Sequence, residues 1–195
     1  MKSSFLMLIG VLLLAGCASP IAPAKPSAMV PRMLKPGIPA GTSIYVAKTT
    51  LASAAAEGKA PFDEMTGQFP LVQSQGLENY KESIRLALLA AGAQSPTNKG
   101  IADYILRPVI LGGMAIPFPE AYSILFVHYE LEDAQTKRVV WTENIYSQAK
   151  LENLRAAAER GSAPDPGYAL LAAGNLRQMV TALSEWLTAE QQNQQ

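Results

Sequence analysis

The hydrophobic positions change rhythm several times along the 195-residue chain. Phe5 to Ala15 is apolar except for Gly10, a run without a polar face. From Ala18 to Gly41 no rhythm survives. Prolines stand at 20, 23, 26, 31, 36 and 39, and the segment reads as a stiff linker whose Val30, Met33 and Leu34 could dock on the domain behind it. Thr42 to Ala47 alternates, Ile44 and Val46 against Ser43 and Tyr45, which predicts a short strand. Lys48 to Gln75 has no period. Leu77, Tyr80, Ile84, Leu88 and Ala91 then recur at steps of three and four with Gly92 directly after, the pattern of an amphipathic helix and its C-terminal stop. Its start is either a capping box of Asn79 and Glu82 or a cap at Ser74.

Three strand-like runs come next: Ala102 to Leu111, Tyr122 to Glu132, and Arg138 to Leu151. Gly112 and Gly113 with nearby prolines separate the first two, and Asp133 to Lys137 separates the others. In the middle run Leu125, Val127, Tyr129 and Leu131 share one face and His128, Glu130 and Glu132 the other, so one face of the sheet is core. Glu152 to Arg160 reads as a short helix. Leu176, Met179, Val180, Leu183 and Leu187 mark a closing helix, and residues 189–195 form a polar tail whose glutamine-rich end, Gln191 to Gln195, is expected to fray. The expected fold is α+β in the order β-α-β-β-β-α. It is a mainly antiparallel sheet with two helices on one face, a single domain over residues 42–188 on a Pro-rich tether.

The lone cysteine, Cys17, ends the first apolar run. Lys2, the apolar stretch and small residues before the cysteine have the layout of a secretory signal peptide. The stretch is too short for a bilayer-spanning helix, which needs roughly 20 residues. Leu14-Ala15-Gly16-Cys17 resembles the lipobox of bacterial lipoproteins. That resemblance implies removal of residues 1–16, a covalent lipid such as palmitate on Cys17, and anchorage by two or three acyl chains, which hold far better than one. Ala18 stands where an aspartate would resemble the inner-membrane retention signal, so the outer membrane, periplasmic face, is the expected address. The linker behind Cys17, at about 3.1 Å per residue, could lift a domain roughly 70 Å.

Composition narrows the classes further. Lys2 is the only basic residue in the removed part, so the mature chain is close to neutral, and a nucleic-acid backbone finds no concentrated positive field. With Cys17 acylated no intrachain disulfide is possible. The core must therefore hold the fold alone, and 49% hydrophobic residues supply it. The combination of Ala87-Leu88 with Ala91-Gly92, Ala102-Asp103-Tyr104-Ile105-Leu106, the run from Val127 to Trp141 and a closing helix resembles small periplasmic lipoproteins with a domain like the amino-terminal domain of TolB. That class includes activators of peptidoglycan synthases and accessory lipoproteins of secretion and transport. In those relatives the hairpin turn carries a glycine where Lys137 stands here, so this turn is expected to differ.

Candidate chemistry is sparse. His128 is the only histidine, and Glu130 and Glu132 beside it suggest zinc ligands, but i and i+2 on a strand lie about 6.5–7 Å apart. A solvated strand end accounts for all three. Ser147 and Lys150 match the S-x-x-K of penicillin-recognising enzymes, yet that motif needs a helix, and in a strand the two side chains point apart. Asp63 and Glu64 read as solvated loop charges. No phosphate loop, dinucleotide fingerprint or nucleophile elbow occurs, so neither an enzyme nor a cofactor or metal site is expected.

Binding is better placed in two loops. Lys48 to Gln75 carries Phe62, Met65 and Phe69, and Gly112 to Ala121 carries Phe118 between two prolines. These side chains either fold back on the core or present an apolar contact. Trp141 and Trp186 are expected in the core. The expected role is a non-enzymatic accessory module that binds another envelope protein in a transport, secretion or cell-wall complex. The alternative is a periplasmic binder of a small molecule or lipid, which needs an enclosed apolar cavity.

Overall fold

The computed structural model describes residues 24–32, 34, 37–52, 74–116, 122–150 and 166–193. Cys17, Phe62, Asp63, Glu64, Met65, Phe69, Phe118 and the expected helix Glu152 to Arg160 lie outside the described residues. Within them the elements run α1 (Pro26–Met29), β1 (Ile44–Val46), β2 (Thr50–Leu51), α2 (Ser74–Ala90), a 3₁₀ turn (Lys99–Ile101), β3 (Tyr104–Ile116), β4 (Tyr122–Asp133), β5 (Val139–Lys150) and α3 (Pro166–Asn193). The architecture is α+β around one five-stranded sheet, ordered β1-β3-β4-β5 with β2 also beside β3.

The β3–β4–β5 meander is antiparallel, as short turns require. β1 and β2 instead pair parallel to β3, so the sheet is mixed. The reason lies in the connection: the chain leaves β1, passes through α2 and returns to β3, and such a crossover aligns the strands it joins. β3 also runs past the two glycines that carry a turn signal. Gly112 and Gly113 pair with Phe126 and Leu125, after a register shift between Ile110 and Gly112. The glycines thus follow a bulge inside a long strand rather than ending a short one.

The helical periodicity maps directly onto burial. Tyr80, Ile84, Leu88 and Ala91 are fully buried, as are Leu176, Met179 and Leu183 on α3. α2 starts at Ser74, so the Asn79–Glu82 capping box is not formed; Asn79 sits within the helix and its Nδ2 donates to Ala24 O at 2.9 Å. At the other end Gly92 (φ 101°) donates to Leu89 O and Ala93 to Leu88 O, a Schellman stop that the positive φ makes natural for glycine. α3 continues through Asn193, so the tail expected to fray from Gln191 is helical over that length.

The Pro-rich segment is packed rather than extended from Ala24 onward. Ala24, Met29 and Ile38 belong to the main core, and α1 packs on both α2 and α3. Gly37 and Ile38 N–H groups both donate to Ala91 O, at 3.0 and 3.1 Å, which ties the segment to the end of α2. Prolines limit the chain's freedom before docking, so less entropy opposes it.

Candidate functional surfaces

The buried face of the sheet carries a polar cluster inside the apolar core. Tyr80 on α2, Tyr129 on β4 and Asn175 on α3 are fully buried and mutually bonded. The two hydroxyls lie 2.6 Å apart, and each lies near Asn175 Oδ1, at 3.0 Å from Tyr80 and 2.7 Å from Tyr129. Two hydroxyl protons thus serve three contacts, so two are filled at a time. Asn175 Nδ2 donates to Ile145 O at 3.1 Å, and Ser147 Oγ to Leu171 O at 3.0 Å. Burial is the main cause that pushes both tyrosine hydroxyls well above the ordinary tyrosine range. The cluster joins both helices to the same face of the sheet, so its evident work is to fix their register.

That arrangement settles where Ser147 and Lys150 point. Ser147 is buried on the helical side with its hydroxyl committed to a backbone carbonyl, and Lys150 is exposed. The strand separates the pair as expected. Trp141 is buried in the core, and Trp186 packs against it, edge-on to Tyr104 with ring centres 6.1 Å apart.

The opposite face of the sheet is polar around His128. His128 Nδ1 lies 2.8 Å from Asn144 Oδ1 across the strand pair, and Nε2 lies 3.3 Å from Glu130 Oε1. Glu132 turns instead to Arg107, whose Nη2 is 2.7 Å from Glu132 Oε2. The histidine and the two carboxylates thus form two separate pairs rather than one ligand set. Among the described residues no group of three or more His, Cys, Asp or Glu side chains is placed to hold a metal.

A cleft of about 480 Å³ opens at the end of the sheet beside the β4–β5 turn, lined by Thr42, Asp103, Tyr104, Asp133, Leu187 and Glu190 among others. Burial, and then the negative charges of Asp133, Asp103 and Glu190, raise the Tyr104 hydroxyl above its ordinary range. Two of these carboxylates hold the scaffold. Asp103 Oδ2 accepts from Ser43 N at 2.8 Å, and Asp133 Oδ1 accepts from Gln135 N, Thr136 N and Thr136 Oγ1. The Thr136 amide is the first reason the Asp133 carboxyl is held below its usual range. The cleft draws on four separated stretches of chain, so no local motif announces it. In the same turn Lys137 takes the left-handed conformation at φ 59°, so the geometry expected of glycine is kept by lysine.

Neither a family model nor a curated protein matches the chain. Solved structures do. A hypothetical protein from Chlamydia trachomatis aligns with a TM-score of 0.52 at 10% identity, over 77% of this chain and 99% of its own. A Xanthomonas campestris protein of the DUF330 family aligns at 18% identity over 85% of this chain and 95% of its own, with a TM-score of 0.45. A minor lipoprotein from Acinetobacter baumannii aligns at 11% identity over 74% and 93%, with a TM-score of 0.38. The first of these shares the fold. At such identities likeness extends to the fold alone.

Proposed function

We propose that the protein is a lipid-anchored accessory module of the bacterial envelope, held by Cys17 at the periplasmic face of the outer membrane, that binds another envelope protein and catalyses nothing. The observation that carries this reading is Leu14-Ala15-Gly16-Cys17 at the end of an apolar run. The resemblance of the Ala87–Gly92, Ala102–Leu106 and Val127–Trp141 stretches to small lipoproteins with a domain like the amino-terminal domain of TolB agrees with it. The commitments of the polar side chains support it: Ser147 is bonded to a backbone carbonyl, and His128 is shared between Asn144 and Glu130. The ligand-carrier reading needs an enclosed apolar cavity, whereas the cleft beside Tyr104 is open and lined with carboxylates. Phe62, Met65, Phe69 and Phe118 are the proposed partner contacts.

The test begins with the mass of the mature N-terminus, which should show a diacylglycerol and an acyl chain on Cys17. Crosslinking in intact cells should then capture a discrete envelope protein from wild type, less from Phe62→Ala or Phe118→Ala, and none from Cys17→Ala. An unmodified Cys17 would sink the anchor. Purified protein that carries a stoichiometric small molecule and captures no partner would replace the accessory role with a carrier role.

A further inference from the structure

The tether is short where it matters. Ala24 is already buried and bonded to Asn79, so seven residue steps separate it from Cys17. At 3.3–3.6 Å per residue that leash spans at most about 25 Å, whatever its conformation. A domain of this length is roughly 40 Å across. The attachment lies on the helical side, because α1 packs on α2 and α3. A leash shorter than the domain cannot pass around it, so an anchored domain cannot lay the outer face of its sheet on the bilayer.

Charge along the tether-proximal segment is one-signed. Residues 18–56 contain Lys25, Arg32, Lys35 and Lys48 and no aspartate or glutamate. Lys25 and Arg32 flank α1, both are exposed, and neither takes part in an ion pair among the described residues. On the adjoining stretch of α2, Glu78 and Glu82 are balanced by Lys81 and Arg85, and Arg85 Nη2 closes on Glu82 at 2.6 Å. α3 adds Arg177 against Glu185 and Glu190, so the helical side is net positive by one charge, with Lys25 and Arg32 standing nearest the tether.

We propose that the domain seats its helical side on an anionic lipid surface through Lys25 and Arg32, turning the polar outer face of the sheet toward the periplasm. This rests on the lipid anchor at Cys17. Acyl chains with a basic patch form a two-signal membrane attachment, in which the chains supply retention and the cations supply orientation. Each basic side chain near such a surface favours the seated state by about five-fold, so the two together favour it by about 30-fold. The outer sheet face with Arg107, His128, Glu130 and Asn144 is then open to a protein partner in addition to the loop contacts proposed above.

The test uses the full lipidated protein in vesicles of phosphatidylcholine with or without phosphatidylglycerol. A fluorophore is attached at Ser27→Cys on α1 or at Thr142→Cys on β5, both exposed positions, and quenched by spin-labelled lipid headgroups. With phosphatidylglycerol, the label at 27 should be strongly quenched and the label at 142 hardly at all. Lys25→Glu/Arg32→Glu, or phosphatidylcholine alone, should bring the two positions close together. Equal quenching at 27 and 142 in the anionic vesicles, on protein whose acylation has been verified by mass, overturns the seating and leaves the anchor standing. An asymmetry unchanged by the double substitution overturns the role of the cations. A chain recovered without acylation removes the anchor and the seating together.

Discussion

Replacement of Asn175 by leucine tests whether the buried polar cluster is a satisfied unit. Leucine keeps most of the volume and removes the amide. The Tyr80 and Tyr129 hydroxyls, 2.6 Å apart, can then bond only to each other, which leaves one hydroxyl proton without an acceptor. The Ile145 carbonyl loses its side-chain donor at the same time. A buried polar group left unpaired costs about 1–3 kcal/mol, so the two losses predict about 2–6 kcal/mol of destabilisation. Urea unfolding followed by tryptophan fluorescence, with m unchanged, measures it. The decisive comparison adds Tyr80→Phe and Tyr129→Phe to Asn175→Leu. Removing every partner together is close to neutral, so the triple variant should recover about 1–3 kcal/mol relative to the sum of separate losses. Additivity within about 0.5 kcal/mol would refute the reasoning, because independent groups add.

Alkaline pH should destabilise the fold through the same two tyrosines. Their folded-state pKa values are raised, so above about pH 10 the unfolded chain sheds phenolic protons that the folded chain retains. Stability is full below that pH and falls as pH rises beyond it, by up to about 1.4 kcal/mol per pH unit for each group. A Tyr80→Phe/Tyr129→Phe variant that shows the same dependence of Tm on alkaline pH would contradict this. Lys137→Gly should stabilise the β4–β5 turn by about 1 kcal/mol, because glycine tolerates φ 59° where lysine is strained. An equal or lower urea midpoint would show that the turn is relaxed with lysine. Thr49 Oγ1 is buried without a hydrogen-bond partner among the described residues, so Thr49→Val should raise stability by about 1 kcal/mol, and a loss in calorimetry would mean that the hydroxyl is satisfied in solution.

How much of the fold is legible in the sequence depends on the range of the forces involved. The stripes from Tyr80 to Ala91 and from Leu176 to Leu187 and the alternation along β4 are local consequences of burying one face, and each maps onto buried side chains. The parallel pairing of β1 and the docking of Met29 and Ile38 depend on distant partners, and proline-broken sequence shows no period to reveal them. Gly112 and Gly113 carry a turn signal, but a bulge uses the same residue type, and only the strand opposite decides between the two. Asn175 does leave a trace in the sequence. It stands on the same stripe as Ala172 and Met179, and a polar residue at an apolar position calls for a partner. Tyr80 on the other helical stripe and Tyr129 on the core face of β4 supply that partner.

The two faces of the sheet therefore carry polar groups for opposite reasons. On the inner face the Tyr80–Tyr129–Asn175 cluster is dry, so each bond lost there is expressed as instability. On the outer face the Arg107–Glu132 pair, with side-chain exposures of 45% and 13%, is screened by water and contributes on the order of 1 kcal/mol or less. Stability alone thus places little demand on Arg107, His128, Glu130 or Asn144. Charge changes at these positions leave the fold intact, so a loss of partner capture in cells can be read as a loss of contact. The same loss from a substitution at Asn175 would report only unfolding. Outer-face variants that abolish capture at unchanged Tm would locate the partner on the surface that the short leash turns away from the membrane. Outer-face variants with full capture would leave the loops that carry Phe62 and Phe118 as the partner's contacts.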